Sequence, residues 1–176
     1  MKTTAPSHLV RPRTDGDLPA CVEALAAVHR HSGYPVNWPD RPADWLTTHA
    51  QLTAWVAELD GHVVGHLSLS RAAEGDAAPA LWAAREGVGV DVTAVVGRLF
   101  VSPAARGHGL GGALVARAVE EAWTLGLHPV LDVVDSDAAA TALYERLGWE
   151  LLDVVEQHWA PQQVVSLRCY AAPGQP

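Results

Sequence analysis

The segment from Thr93 to Leu125 restricts the possible folds more than any other part of the chain. Thr93 to Val101 is an apolar run with many β-branched residues, which predicts a strand buried on both faces. The motif RGHGLGG follows at residues 106–112, and apolar residues then recur at helical spacing as far as Leu125. A buried strand that continues through a glycine-rich loop into an amphipathic helix predicts an α/β fold in which helices cover a sheet.

The loop at residues 106–112 has the features of an anion-binding site. Glycines adopt positive φ and let the backbone approach a ligand closely. The first amides of the following helix lack intrahelical partners and carry the positive end of its dipole. Phosphate and pyrophosphate bind at such helix starts, and Arg106 can add a charge-assisted hydrogen bond. A turn that only packs the helix on the sheet is the alternative, but the succession of strand, arginine, spaced glycines and helix favours a ligand.

Two nucleotide-binding folds offer competing interpretations of this loop. Gly107, Gly109 and Gly112 satisfy the dinucleotide pattern GxGxxG, and Asp132 follows 20 residues later, where a Rossmann domain has its ribose-binding acid. However, residues 102–106 separate the strand from the glycines, and the remaining chain is too short to complete a six-stranded parallel sheet. A P-loop is excluded because no Lys followed by Ser or Thr comes after the glycines.

The remaining patterns predict a mixed sheet in a single domain of residues 1–176. Asp60-Gly61 is a hairpin turn signal between two alternating strands, and the proline-rich stretch 32–42 excludes regular structure. Elements are predicted in the order β-α-α-β-β-α-β-α-β-α-β-β, over residues 8–13, 18–31, 43–45, 52–59, 62–70, 79–86, 93–101, 110–125, 129–134, 137–147, 150–159 and 164–170. Hairpins combined with a central βαβα unit favour both parallel and antiparallel strand pairs.

Composition limits the partners. The 12 Lys and Arg against 20 Asp and Glu leave a net charge of -8, which disfavours nucleic acid and favours a cationic acceptor such as an amine. Cys21 and Cys169 lack the spacing of a disulfide framework or a redox motif. The polar opening residues lack the apolar segment of a signal peptide, and no apolar run has the length of a membrane span. We therefore expect a cytoplasmic protein with neither nucleic acid nor a membrane as partner.

Two segments of the chain resemble the GNAT superfamily of N-acetyltransferases. Residues 95–119, VVGRLFVSPAARGHGLGGALVARAV, match the family's strand, its loop pattern Arg/Gln-x-x-Gly-x-Gly/Ala and its helix, with Arg106, Gly109 and Gly111 at the pattern positions. Residues 135–152, DSDAAATALYERLGWELL, are close to the family's Asn-x-x-Ala-x-x-Leu-Tyr-x-x-x-Gly-Phe. The resemblance implies a GNAT fold of the α/β (α+β) class, in which about four helices flank a mixed central sheet of about seven strands.

This resemblance implies acetyl-CoA as the donor co-substrate and an N-acyltransferase reaction. The acetyl group, or a larger acyl group, would pass directly to a primary amine of a small molecule or peptide. The strand before the loop would bind the pantetheine arm through its main chain, and the loop amides would bind the pyrophosphate. The residues assigned to coenzyme binding are Leu99, Phe100, Val101, Arg106, Gly107, His108, Gly109, Gly111, Gly112 and Asp137. A GNAT fold that binds an acyl-CoA or a partner protein without catalysis is the alternative, and a nucleotide-binding dehydrogenase is a third possibility.

Amine attack on a thioester needs a base for the amine and a proton for the leaving thiolate. Tyr144 stands at the family's tyrosine position, where it can protonate the sulfur. Asp132 stands where some family members carry a glutamate base, and its shorter side chain would act through a water molecule; an ordinary strand carboxylate is the competing interpretation. Arg98 occupies a position that is sometimes acidic in the family, which disfavours a base on that strand.

The acceptor side has candidates but no motif. Tyr34, Trp38, His66 and Trp82 are candidate acceptor-pocket residues because they lie in the segments that form this pocket in the family, although ordinary packing explains each as well. His62 and His66 point the same way along a strand, but they have no acidic or cysteine partner at metal-binding spacing, so no metal is expected. The identity of the amine, and whether the protein is a monomer or a homodimer, stay open.

Overall fold

The computed structural model describes residues 5–175 and contains a seven-stranded mixed sheet with five helices. The strands are β1 (His8–Pro12), β2 (Gln51–Leu59), β3 (His62–Arg71), β4 (Thr93–Val101), β5 (His128–Val134), β6 (Glu150–Ala160) and β7 (Gln163–Ala171). The helices are α1 (Leu18–Ser32), α2 (Pro42–Trp45), α3 (Ala77–Glu86), α4 (Leu110–Thr124) and α5 (Ala138–Arg146). Residues 1–4, which belong to the polar opening segment, and Pro176 lie outside the described residues.

The strands follow the order β1-β2-β3-β4-β5-β7-β6. β1 pairs antiparallel with β2, and β7 pairs antiparallel with both β5 and β6, whereas β4 and β5 are parallel. The mixed sheet and the succession of elements expected from the sequence are confirmed, with five helices in place of about four because the short helices α2 and α3 both form. No helix within residues 5–175 combines the length and the hydropathy that a membrane crossing requires.

The chain forms two compact units that interleave along the sequence. The first comprises the residues up to Ser68 together with Arg98–Arg117, and the second comprises Leu69–Gly97 together with the residues from Ala118 onward. The first therefore contains β1, β2, most of β3, α1, α2, the end of β4, the loop before α4 and the first half of α4. The second contains the end of β3, α3, the start of β4, the second half of α4, α5 and β5 to β7. The single domain expected from the sequence stays a prediction.

The apolar face of α1 forms one side of the core in the first unit. Cys21, Leu25 and Val28 recur every three or four residues, so they share one face of the helix and are buried. The buried cluster contains Cys21, Ala24, Leu25, Val28, Leu46, Val56 and Phe100. Because Phe100 belongs to β4, this cluster anchors the end of the strand that leads into the glycine-rich loop.

Small residues of β5 and β7 form the core of the second unit with α3. β5 and β7 pair Val130 with Ala171, and the buried cluster there contains Ala78, Val130, Cys169 and Ala171. Both cysteine thiols are buried: burial raises the pKa of Cys169 well above its usual range and that of Cys21 to about 11. Neither thiol therefore has the thiolate character of a reactive cysteine.

A buried carboxylate holds the turn before α1. Asp17 is 9% exposed, and it accepts hydrogen bonds from the Arg11 guanidinium at 2.8 and 2.9 Å and from the backbone N–H and hydroxyl of Thr14 at 2.7 and 3.1 Å. Arg11 also donates from Nε to Glu58 of β2 at 2.8 Å. The Arg11 guanidinium holds the pKa of Asp17 well below its usual range, so charge-assisted bonds connect β1, the turn and β2.

Asp17→Asn is expected to lower the free energy of unfolding by about 2 kcal/mol at pH 7, because charge-assisted hydrogen bonds become neutral ones. The folded-state pKa lies below the unfolded value of about 3.9. The stabilisation is therefore present above about pH 4 and is lost as the pH falls through the folded-state pKa. Urea unfolding at pH 7 and in acid measures both effects, with Asp15→Asn, an exposed carboxylate on the same turn, as the control. Equal losses in the two variants would contradict this role.

Candidate functional site

The loop between β4 and α4 has the conformation that its glycines predict. The backbone N–H of Ser102 donates to the Val64 carbonyl at 2.7 Å, and Pro103–Ala105 form one turn of 3-10 helix. Gly107 and Gly109 then adopt φ of +85° and +73°. An L side chain costs about 1–2 kcal/mol in this left-handed region, which explains why both positions carry glycine.

The glycine-rich end of this loop has backbone amides without a protein acceptor among the residues that the structure describes. The first hydrogen bond of α4 runs from Ala113 N–H to the Gly109 carbonyl at 3.0 Å, so the amides of the preceding residues lie outside the helical ladder. Within residues 5–175, no acceptor is found for the amides of Gly107, His108, Gly109, Leu110, Gly111 and Gly112. These N–H groups and the positive end of the α4 dipole lie together at the start of the helix. Such an arrangement stabilises a bound anion.

Two side chains of the loop are exposed beside these amides. Arg106 makes a long contact of 3.4 Å from Nε to the Val101 carbonyl, which leaves most of its guanidinium at the surface. His108 lies 3.1 Å from the Ala105 carbonyl through Nδ1. Because a carbonyl only accepts, Nδ1 carries the hydrogen in that bond. The site therefore combines backbone donors with one surface cation.

The strand before the loop departs from regular geometry at one residue. Arg98 has a φ of +49°, an unusual value for a residue with a side chain in the middle of a strand. Phe100 is 4% exposed, and a Cβ added to Gly65 of β3 would lie 3.2 Å from the Phe100 carbonyl oxygen. Gly65 therefore permits a close approach of β3 to the backbone of this segment. Leu99 and Val101, on either side of Phe100, are half-buried.

The parallel register between β4 and β5 covers only three residue pairs. Thr93 pairs with His128 and Val95 with Val130, and the register goes no further along either strand. On its opposite edge, β5 pairs antiparallel with β7 from Val130 to Val134. The backbone of β4 beyond Val95 is therefore not paired with β5 among the described residues.

His66 lies in the core of the first unit, with no exposed surface. Its Nε2 lies 2.8 Å from Nη1 of Arg13, and its Nδ1 lies 2.9 Å from the Arg98 carbonyl oxygen. A guanidinium only donates, so Nε2 accepts and Nδ1 carries the hydrogen that is donated to Arg98. The ring stacks on Phe100 with centroids 5.3 Å apart. Burial lowers the pKa of His66 to about 4, so the ring is neutral at physiological pH.

The predicted acceptor-side aromatics of the first unit lie around the loop after α1. Tyr34 is half-buried and packs edge-on against Trp45, with ring centroids 6.2 Å apart. Trp38 is 39% exposed and lies 5.2 Å from the ring of His29. His29 is 2.9 Å from the Pro35 carbonyl through Nδ1, which holds the loop against the end of α1. The loop thus presents one exposed tryptophan on an anchored backbone.

Tyr144 is a buried side chain of α5 in the second unit. It is 4% exposed, and its ring lies 5.5 Å from that of Trp149 and 6.2 Å from that of Tyr170. The Tyr170 hydroxyl donates to Glu145 at 3.2 Å. Asp137 accepts from the Ala140 amide at 3.1 Å, so its carboxylate caps α5 as the sequence predicts for the start of this helix.

Asp132 and Trp82 are also in the second unit. Asp132 accepts from the Ala78 amide at 3.0 Å through Oδ1, and the Cys169 thiol donates to the same carboxylate. Burial raises the pKa of Asp132, against the opposing effect of these hydrogen bonds. Trp82 stacks on His128 with ring centroids 4.3 Å apart. One oxygen of Asp132 therefore holds the start of α3, and one face of Trp82 is covered.

The two units divide the predicted site residues between them. The first unit holds the coenzyme residues of β4 and the loop, together with Tyr34, Trp38 and His66; the second holds Tyr144, Asp132, Asp137 and Trp82. Arg13, the partner of His66, was not predicted, because it lies 53 residues away and has no motif of its own. Within residues 5–175, no three His, Cys, Asp or Glu side chains are grouped so as to hold a metal ion.

Comparison with known proteins gives a consistent result. A model of the acetyltransferase (GNAT) family matches residues 19–149, while no curated protein sequence matches the chain. An N-acetyltransferase from Staphylococcus aureus Mu50 shares 19% identity over 94% of this chain and 97% of its own, with a TM-score of 0.70. The ribosomal-protein-alanine N-acetyltransferase of Brucella melitensis shares 24% identity over 93% of this chain and 98% of its own, with a TM-score of 0.68. Arabidopsis thaliana NAA60 in complex with acetyl-CoA shares 16% identity over 94% of this chain and 97% of its own, with a TM-score of 0.68.

Proposed function

The chain belongs to the acetyltransferase (GNAT) family, and we propose that it is an N-acetyltransferase that transfers the acetyl group of acetyl-CoA directly to a primary amine. The observation that carries this proposal is the row of amides between Gly107 and Gly112 without a protein acceptor. The pyrophosphate of coenzyme A has several anionic oxygens, which can satisfy several of these amides at once. The structure of Arabidopsis thaliana NAA60, which has a similar fold, contains acetyl-CoA. This supports acetyl-CoA as the acetyl donor for this chain.

The end of β4 supplies the second part of the coenzyme site in this proposal. The register with β5 stops at Val95, so the later β4 backbone has no partner from β5 among the described strands. The pantetheine arm carries amide groups, and these can pair with a strand edge as an added strand would. Leu99, Phe100 and Val101 are therefore proposed to bind it through their main chain, and Arg106 to neutralise part of the phosphate charge.

Tyr144 is proposed as the general acid that protonates the thiolate of coenzyme A. The proposal rests on its position in the segment 135–152 and on its ring contacts with Trp149 and Tyr170, which hold the side chain in place. A proton delivered to the sulfur as the bond to the acetyl carbon breaks avoids release of a free thiolate. No covalent enzyme intermediate is needed, since the amine attacks the thioester directly.

Asp132 is proposed as the base that receives the proton of the amine through a water molecule. Its burial raises its pKa, which brings a carboxylate closer to the range in which a base works well at neutral pH. Asp132→Asn keeps one oxygen as acceptor for the Ala78 amide, while it removes the base and the second carboxylate oxygen. We expect kcat/KM for the amine to fall at least about tenfold, with the melting temperature little changed. Wild-type kcat/KM in this variant would leave Asp132 only the role of holding α3.

Thiol release from acetyl-CoA in the presence of different amines tests the whole proposal. The panel includes small monoamines, polyamines, and peptides with a free N-terminus or a lysine. We expect release above the acceptor-free rate with at least one class, and a mass shift on the acceptor that matches acetylation. Cys21 and Cys169 have no exposed surface, so the protein's own thiols add little background. Stabilisation by coenzyme A without release for any amine would favour a non-catalytic binding module, and stabilisation by NAD alone would favour a dehydrogenase.

The acceptor is proposed to be a primary amine of a small molecule or a peptide, bound near the loop after α1. Trp38 and Tyr34 are proposed to contact it, because this anchored loop presents an exposed aromatic surface. The excess of carboxylates over cations in the chain favours a positively charged amine. The name of the Brucella melitensis enzyme specifies an alanine of a ribosomal protein, which supports a peptide acceptor. We also propose a cytoplasmic location and a monomer or homodimer.

A further inference from the structure

The left-handed conformation of Arg98 must be imposed by its neighbours. A residue with a side chain loses about 1–2 kcal/mol at positive φ, so an isolated strand would relax this bend. Arg98 immediately precedes Leu99–Val101, the stretch whose main chain is proposed to bind pantetheine. Any change of φ at Arg98 rotates the following peptide groups, so the contacts of Arg98 determine where those groups point.

Arg98 is held through its main chain and through its side chain. On the main chain, its carbonyl accepts the Nδ1–H of His66 at 2.9 Å. On the side chain, Nε donates to the Trp45 carbonyl at 2.6 Å and the guanidinium lies 4.3 Å from the centre of the Trp45 ring. The main-chain contact acts on the backbone itself, and it depends on which nitrogen of His66 carries the hydrogen.

Arg13 determines that hydrogen position. Its guanidinium donates to Nε2 of His66 at 2.8 Å, and also to the Leu46 carbonyl and the Gln51 side chain at 2.8 and 2.9 Å. Because Nε2 must accept, the hydrogen stays on Nδ1, where it points at Arg98. The cation also polarises the ring, which strengthens Nδ1–H as a donor. Stacking on Phe100 keeps the ring in plane with this line of hydrogen bonds.

We propose that His66, with its tautomer set by Arg13, is a positioning residue for acetyl-CoA: it holds the Arg98 carbonyl so that the main chain of Leu99–Val101 is aligned with the pantetheine arm. His66 neither touches the acceptor nor exchanges a proton in the reaction. The inference rests on the proposed function, because it assigns His66 a purpose only if this strand binds coenzyme A. It accounts for a buried histidine whose ring nitrogens are both used inside the protein.

A matched pair of substitutions separates positioning from packing. The amide nitrogen of asparagine can take the place of Nδ1, so His66→Asn keeps the donor to Arg98 and loses the acceptor for Arg13. The longer glutamine can place its oxygen near Nε2, so His66→Gln keeps the acceptor for Arg13 and loses the donor to Arg98. Each variant loses one buried hydrogen bond, so a merely structural role predicts similar melting temperatures and similar activities.

The positioning role predicts different coenzyme affinities. For His66→Gln we expect the Kd of coenzyme A, measured by calorimetry, to rise on the order of tenfold and kcat to fall as well, because a small misplacement at the reacting group is costly. For His66→Asn we expect both within about threefold of the wild type. His66→Phe retains the stack on Phe100 without either hydrogen bond, so it is a second test if His66→Gln folds poorly. We expect the same rise in Kd and fall in kcat for His66→Phe.

The outcomes distinguish this inference from the proposed function. Wild-type affinity and turnover in the glutamine and phenylalanine variants, or equal losses in the asparagine and glutamine variants, would overturn the positioning role alone. A wild-type protein that neither binds coenzyme A nor releases thiol would overturn the proposed function, and the positioning role with it. Amide chemical shifts of Leu99–Val101 in the ligand-free variants provide a readout without catalysis. Both variants lose the ring current of the imidazole that stacks on Phe100, so the positioning role predicts a further change in His66→Gln beyond the change in His66→Asn.

Discussion

Tyr144→Phe is expected to lower kcat for acetyl transfer by about a hundredfold or more, because a well-placed general acid contributes about 10²–10⁴ in rate. The substitution removes one oxygen and keeps the ring contacts with Trp149 and Tyr170. The variant should therefore stay folded, with a loss of at most about 1 kcal/mol, the typical contribution of one hydrogen bond. The Kd of coenzyme A should also stay close to the wild-type value, since the acid acts on the sulfur as it leaves. Steady-state kinetics with a saturating amine, together with calorimetry, measure both quantities.

Tyr170→Phe is the matched control for this prediction. Tyr170 is fully buried, its ring lies 6.2 Å from that of Tyr144, and its hydroxyl donates to Glu145 at 3.2 Å. The same atom is removed from the same cluster, at a cost of about 1 kcal/mol for the lost hydrogen bond, while kcat should stay within about twofold. If Tyr144→Phe kept more than half of the wild-type kcat, Tyr144 would not be the acid. Equal losses in both variants would indicate disturbed packing in place of lost acid catalysis.

Gly109→Ala is expected to raise the KM for acetyl-CoA by at least about tenfold. Gly109 has a φ of +73°, and a Cβ added there meets no atom within 4 Å. The penalty is therefore backbone strain, which the loop can relieve only by rotating the amides that precede α4. One charge-assisted hydrogen bond contributes about 1.5–3 kcal/mol, so the loss of one such bond to phosphate corresponds to about a tenfold to hundredfold weaker affinity.

Gly126→Ala controls for strain by itself. Gly126 follows the opposite end of α4, has a φ of +72° and likewise has open space around its Cβ position. Both variants should lose about 1 kcal/mol of unfolding free energy, but only Gly109→Ala should weaken acetyl-CoA binding. An unchanged KM in Gly109→Ala would mean that the loop amides do not bind the pyrophosphate. An equal rise in both variants would indicate a general loss of stability.

The confirmed elements are those with local causes. β4 was predicted over Thr93–Val101 and has these bounds, because its apolar run and the following Pro103 limit it on the sequence itself. The Asp60-Gly61 hairpin forms with φ of +50° and +80°, values that these residue types tolerate well. Asp137 caps α5 through an amide only three residues away. Helix caps, tight turns and periodicity depend on neighbouring residues, so one sequence is enough to predict them.

The partners of His66 could not be predicted in this way. The alternation of side chains along β3 predicted that His66 and His62 point to the same side of the strand. It did not show whether His66 lines a ligand pocket or lies in the core. His66 is buried because it stacks on Phe100 and bonds to Arg13, which lies 53 residues earlier. Asp132 is a similar case, since the Ala78 amide that it accepts from lies 54 residues away on α3. Such contacts depend on how elements pack, and no local pattern encodes that.

The conformation of the loop between β4 and α4 has local causes. Positive φ at Gly107 and Gly109 and the unpaired amides at a helix start follow from residue type and from the geometry of any helix. The bend at Arg98 and the hydrogen bonds that hold it depend instead on how distant elements pack. A non-glycine residue adopts that conformation when its surroundings offset the strain, and those surroundings come from Arg13, α2 and β3, which are distant in the chain.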